Sequence, residues 1–272
     1  MNGNAAPKAK KIPKTLLLAI DVGNTNTVMG VFDQHRLVMD WRIRTDRNIT
    51  EDEFNVLVNN LLAGSKISTH RITRTIISCV VPPMVGILDS FCRKYLHHQP
   101  LWVSAETVGK MPILYRNPFE VGADRIVNAI AAYDKYQTAL IVIDFGTATT
   151  FDVISAQGEY LGGAISPGIM IAAEALYQNA SKLPRVEIFQ APETVIGKDT
   201  ENSIKAGIIY GYAGLVDGLV TRMKTELGTA PKVIATGGLA PLMSEVSKTI
   251  EGVEAHLTLY GLQIISDNHA AK

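Results

Sequence analysis

Two short stretches carry the residue types that phosphate chemistry needs. The first, Ile20-Asp21-Val22-Gly23-Asn24-Thr25-Asn26-Thr27, ends an apolar run with one carboxylate, one glycine and a group of small neutral polar side chains. The second, Val142-Ile143-Asp144-Phe145-Gly146-Thr147-Ala148-Thr149-Thr150, repeats the order apolar, Asp, apolar, Gly, small-polar, with Asp144 lying 123 residues after Asp21. A glycine at such a turn exposes backbone N–H groups that can wrap phosphate oxygens. A nearby carboxylate suits the hydrated Mg²⁺ that accompanies phosphate. A β-hairpin that uses Asn and Thr for turn chemistry alone explains either copy taken singly. Two copies are better explained as the halves of a cation and phosphate clamp.

Two further candidates stand between and after these turns. Gly122-Ala123-Asp124-Arg125 opens a helical pattern. Asp124 there is either a favourable partner for the helix dipole or a general base beside an arginine that holds a polar substrate. Thr236-Gly237-Gly238 joins a strand to a helix, as a tight connection or as a close approach for a flat or sugar group. Ile196-Gly197-Lys198-Asp199-Thr200 only resembles the end of a Walker loop, because Pro192 stands where its first glycine belongs and Asp199 follows the lysine.

The elements that must position these residues follow from periodicity. Strands are expected over 16–22, 27–32 and 36–44, a meander. Thr50 and Glu53 form a capping box for a helix with Phe54, Leu57, Val58, Leu61 and Leu62 at helical spacing, closed by Gly64. A strand over 74–81 is broken by Pro82-Pro83, a helix covers 85–96 and a strand 100–104. His97-His98 read as a solvated helix end. A helix over 123–136 precedes strands over 139–143, 150–155 and 160–165. Helices over 169–180 and 202–227, a strand over 232–236, a helix over 241–249, a strand over 253–256 and a helix from about 259 complete the chain. The pattern reads as two βββαβαβ halves, a duplication with a cleft between related lobes. The expected organisation is a basic flexible tail over 1–14, one lobe over 15–121 and a second over 122–272 that includes the connecting helix.

Bulk properties narrow the partners. Lys plus Arg and Asp plus Glu number 26 each and 47% of the 272 residues are hydrophobic, so a large core is available and no net charge draws the chain to nucleic acid or an anionic membrane. Only Cys79 and Cys92 are present, without a CxxC pair or a His cluster, which argues against a thiolate or imidazole metal site. The first apolar run stops at Asp21, too short for a signal peptide or a membrane span, and the expected setting is cytoplasmic.

With these elements in order, the segment from about 16 to 263 resembles the type III pantothenate kinases, in the superfamily of acetate kinase, sugar kinases, Hsp70 and actin. The resemblance rests on DVGNTNT, GADRIVNA, IDFGTATTFD, GGAISPGI and ATGGLA in that order. It implies an α/β fold of duplicated actin-like (ribonuclease H-like) lobes with an interlobe cleft. It also implies transfer of the ATP γ-phosphoryl group to the primary hydroxyl of pantothenate, at the start of coenzyme A synthesis. Residue by residue, Asp21, Val22, Gly23, Asn24, Thr25, Asn26, Thr27 and Val28 match the first ATP-binding turn, with Asp21 on the Mg²⁺ side. Thr147 matches a phosphate position, Asp144 a ligand of K⁺ or NH₄⁺, and ATGGLA the adenosine side. Gly122, Ala123, Asp124 and Arg125 match the substrate motif, Asp124 being its proton acceptor, and Tyr115 and Thr200 match substrate contacts. The resemblance further implies a homodimer with substrate near the subunit interface. Two other readings remain: another small-molecule kinase of the superfamily, and a non-catalytic regulatory relative, which could lose Asp124 or an Asp-x-Gly turn without penalty.

Overall fold

A computed structural model describes residues 15–104, 106–109 and 111–271; the basic segment 1–14 lies outside the described residues. Two five-stranded sheets have the same construction. In the first half β1 (Leu16–Val22), β2 (Asn26–Asp33) and β3 (Arg36–Arg44) form the meander, then α1 (Glu51–Gly64), β4 (Ile72–Cys79), α2 (Pro82–Phe91), β5 (Leu101–Trp102) and α3 (Ala123–Tyr136) follow. The second half runs β6 (Leu140–Phe145), β7 (Ala148–Ile154), β8 (Tyr160–Pro167), α4 (Ile169–Asn179), α5 (Thr200–Leu227), β9 (Lys232–Gly237), α6 (Ala240–Val246), β10 (Gly252–Val253) and α7 (Leu257–Ala270). Strand order is β3-β2-β1-β4-β5 in one sheet and β8-β7-β6-β9-β10 in the other. In both, the first three strands are antiparallel neighbours and the last two join in parallel. The duplication expected from the sequence is therefore present at the level of topology.

Alternation along the central strands decides where the carboxylates point. On β1, Leu16, Leu18, Ile20 and Val22 pack outward on α1 and α2, while Leu17 and Ala19 face the core between the sheets. On β6, Ile141 and Ile143 pack outward, while Leu140 and Val142 face that same central core. The next residues in step with the inner set are Asp21 and Asp144. Each strand thus ends by presenting a carboxylate between the lobes. The central core is completed by α3 and α7, which pack on each other; α7 also returns to β1, β2 and β4 of the first sheet.

Several boundaries differ from expectation for identifiable reasons. Pro82-Pro83 open α2 instead of breaking the chain before it, because neither ring nitrogen is needed as a donor in a first turn. Residues 92–96 widen into a π turn that ends at His97 in the left-handed region, φ 59°. His98 is not simply solvated: its Nε2 lies 2.9 Å from Thr75 Oγ1 and its Nδ1 3.0 Å from the Leu96 carbonyl. Helix α6 stops at Val246, short of the expected 249, because the next three residues are claimed by Asp217 of α5. The capping box of α1 forms as expected, with Glu53 N donating to Thr50 Oγ1 and Thr50 N to Glu53 Oε2.

Candidate active site

The two Asp-x-Gly turns face each other across the lobes and touch. Thr25 Oγ1 and Thr147 Oγ1 lie 2.8 Å apart. The turns are not identical in length. Val22 pairs with Thr27, and Gly23 N donates to the Asn26 carbonyl at 3.0 Å; Phe145 pairs with Thr149, and Gly146 N donates to the Ala148 carbonyl at 3.1 Å. The second turn is one residue shorter, so Thr27 corresponds to Thr149 rather than Thr150. Asn24, Thr25 and Asn26 are exposed at the first tip and Thr147 at the second. Thr27 is buried instead, hydrogen-bonded to Thr45 Oγ1 at 2.9 Å, and Thr45 in turn donates to the Gly23 carbonyl. Its hydroxyl braces the turn from behind. Arg47 fixes the tip by donating to Asn24 Oδ1 at 3.0 Å. Val28 lies half-buried on the inner face.

Asp21 and Asp144 lie beneath these turns, each within reach of the Asp124 charge. Burial, and then repulsion from Asp124, raises the Asp21 pKa to about 7; the same two causes in the same order raise Asp144 to about 7. Burial also raises Asp124. Helix α3 delivers Asp124 from its first turn, where Gly122 is the N-cap. A Cβ on Gly122 would sit 2.5 Å from Asp124 Oδ1, so only glycine lets that carboxylate fold back over the helix start, where Arg125 N donates to it. One turn later Asn128 donates to Asp144 Oδ2 at 3.1 Å and accepts from Thr258 of α7 at 2.7 Å. Gly237 closes the other side, since a Cβ there would lie 2.5 Å from Asp144 Oδ1. Among the described residues none of the three carboxylates forms a salt bridge.

The wall beyond Asp124 is a separate polar cluster. Arg125 turns away from the carboxylates and pairs with the fully buried Asp152 through Nη2 at 2.7 Å and Nε at 2.8 Å. Tyr160 donates to the same Asp152 oxygen at 2.7 Å, and Arg125 stacks 5.9 Å from the Tyr160 ring centre. The Pro112 and Leu114 backbone bonds to Tyr160, which carries the half-exposed Tyr115 ring to 6.5 Å from the Tyr160 ring. Tyr115 at the surface and the buried Arg125 are thus linked through the Tyr160 ring. Thr200 does not join them within this chain: it starts α5 and lines a groove of about 600 Å³ with Lys198, Asp199 and Leu176. Asp199 serves there as the α5 N-cap, accepting from Asn202 N.

A sequence profile of the type III pantothenate kinases matches residues 17–222. A type III pantothenate kinase of Desulfatibacillum aliphaticivorans is 68% identical over 252 residues, 93% of this chain and 98% of that one. The chain belongs to the type III pantothenate kinase family. A second family relative, from Geobacter sulfurreducens, is 55% identical over 93% of this chain and 99% of its own length. The fold reaches further than the family. A Campylobacter jejuni structure described as a conserved putative Baf family transcriptional activator superposes with TM-score 0.59 at 18% identity, covering 94% of this chain and all of that one. Component A of the Acidaminococcus fermentans (R)-2-hydroxyglutaryl-CoA dehydratase superposes with TM-score 0.55 at 14% identity, over 95% of this chain and all of that one.

For a type III pantothenate kinase the donor set fits cations shared with phosphate. Asp21 and Asp144 are oxygen donors that form no salt bridge among the described residues, which leaves them open to a hard cation. Among the described residues no three acidic, imidazole or thiol side chains converge into a cage. Asn128 and Asp152 lie inside GADRIVNA and IDFGTATTFD but receive no role from the motifs, and Tyr160 lies outside them. Asn128 had a usable signal, since it follows Asp124 by four residues on one helix face.

Proposed function

We propose that this chain phosphorylates pantothenate at its primary hydroxyl with ATP, giving 4'-phosphopantothenate and ADP, the first step toward coenzyme A. The observation that carries the reading is the meeting of Asp124 with both Asp-x-Gly turns in one cleft of a chain from this family. ATP phosphates would lie against the tips at Asn24, Thr25 and Thr147, with the adenosine toward Gly237-Gly238. Pantothenate would lie along Tyr115 and Arg125, its hydroxyl at Asp124. A carboxylate is too weak a base to ionise an alcohol in advance. Asp124 orients the hydroxyl and takes its proton as the new O–P bond forms and the bond from the γ-phosphorus to the bridging oxygen of ADP breaks. Its raised pKa makes it a better acceptor than a solvated aspartate. Mg²⁺ on the Asp21 side and K⁺ or NH₄⁺ at Asp144 would supply positive charge to the phosphate oxygens.

The proposed assembly is a homodimer in the cytoplasm. Ile165, Met170, Ile171, Phe189 and Ile196 are exposed apolar residues around β8, α4 and the segment before α5. A second copy would cover them and account for Thr200 standing apart from Tyr115 and Arg125. The test is a coupled assay of the purified chain with ATP, Mg²⁺ and pantothenate in potassium, ammonium or sodium buffer. One ADP per phosphopantothenate is expected, with loss of rate in sodium. Absence of product would defeat the reading, and transfer to a different alcohol would favour the other small-molecule kinase.

A further inference from the structure

The nucleotide-binding turns contain no basic residue, yet one arginine spans the cleft beside them. Cross-strand register sets a row of residues across the first sheet: Ser78 of β4, Asp21 of β1, Val28 of β2 and Arg42 of β3. Trp41 and Ile43 pack on the outer core, so Arg42 lies on the opposite, inner face with Asp21. Its backbone is two strands from Asp21, about 10 Å. Its tip reaches the other lobe, where Nη1 would lie 3.1 Å from a Cβ on Gly238. Gly238 follows the glycine that backs Asp144. The guanidinium therefore stands over the junction between the phosphate turns and the Gly237-Gly238 connection.

The rest of its surroundings point to an absent anion. Arg42 is exposed, and no carboxylate among the described residues is within salt-bridge range of it, although its charge acts on both Asp21 and Asp144. Arg47, the neighbouring arginine, is already engaged by Asn24. The duplicate lobe has no counterpart: the matching row there is Thr236, Asp144, Thr150 and Ile165, so an exposed isoleucine occupies the place of Arg42. Symmetry of the fold does not demand an arginine at this position.

We propose that Arg42 binds the polyphosphate of the nucleotide, donating from its planar fork to phosphate oxygens at the point where they leave the two turns. The proposal rests on the ATP-dependent reading above. A guanidinium matches phosphate oxygens in pairs, and its charge offsets the two carboxylates that would otherwise repel the incoming anion.

Binding of adenylyl imidodiphosphate and of adenosine to the full chain, measured by calorimetry without pantothenate, tests this directly. Arg42→Gln is expected to weaken the triphosphate analogue by roughly tenfold or more, as loss of a charge-assisted contact does. Adenosine affinity should be unchanged, Arg42→Lys should retain part of the analogue affinity, and Arg36→Gln, at the far end of the same strand, should retain all of it. Unchanged analogue affinity in Arg42→Gln, or an equal loss for adenosine, overturns the assignment. Because this readout needs no turnover, a chain that binds the analogue through Arg42 but does not phosphorylate pantothenate would defeat the reaction while leaving the Arg42 contact standing.

Discussion

Burial makes the charged form of Asp124 costly to the folded chain. Its carboxylate is held over the start of α3 by the space that Gly122 leaves and repels both Asp21 and Asp144. Asp124→Asn keeps the shape and removes the repulsion. We expect its turnover to fall by about a hundredfold or more, as loss of a general base does, while its melting temperature holds or rises. A fall in melting temperature with turnover retained would mean that Asp124 is only a helix-dipole partner. Asp152 acts differently, through Arg125. Asp152→Asn leaves a buried guanidinium without its charge partner, a loss of about 3–5 kcal/mol in comparable pairs, and lets Arg125 drift from Tyr115. The KM for pantothenate should rise with ATP-analogue affinity unchanged; an equal loss for both substrates would make the cluster purely structural. Asp124 was legible because it opens a helix beside a glycine. Asp152 was not, since its partners Arg125 and Tyr160 come from α3 and β8, and nothing local marks such a pairing.

At the scale of elements, alternation and capping carried most of the legible information. Strands β1 and β3 and helix α3 lie where pattern and turn chemistry place them, because β1 is a continuous apolar run, buried on both faces, and all three have unambiguous ends. The failures are ends set by distant partners. The carboxylate of Asp217 in α5 is pushed up by burial, but hydrogen bonds from Ser247, Lys248 and Thr249 overcome that and hold it below the usual range. Those bonds, not a local signal, end α6. Asp217→Ala should free residues 247–249 and lower stability by about 1–3 kcal/mol, visible in chemical denaturation, with turnover at saturating substrate nearly unchanged. A large drop in turnover would show that α6 and the Gly237-Gly238 connection depend on this clamp. The length difference between the two Asp-x-Gly turns was also hidden. An ungapped match of the motifs aligns Thr27 with Thr150, and only the pairing of Phe145 with Thr149 removes the offset.

The whole molecule joins two copies of one construction around a charged seam. Helices α3 and α7 follow β5 and β10 in matching positions and pack together in the central core, so both lobes share the helices that position the cleft. Asn128 on α3 links Thr258 of α7 to Asp144 of β6, and the turns meet at Thr25 and Thr147. This seam is expected to make stability depend on pH and on any cation that binds it. An aspartate whose pKa rises from 3.8 unfolded to about 7 folded is protonated in both states below about pH 4. Between there and pH 7 the unfolded chain releases the proton first, so the stability from these groups is present at low pH and is lost as pH rises through the folded value. A cation that binds only the folded cleft restores it by mass action. Asp144→Asn should therefore melt increasingly above wild type as pH rises from 5 to about 7 in sodium buffer and hold that gap above it, and the gap should close in Mg²⁺ and potassium, where only the wild type gains. A gap that is constant with pH would mean that Asp144 already carries a protein counterion in solution. A gap that persists in both cations would leave them no role at the seam, and the positive charge for phosphoryl transfer would then fall to Arg42.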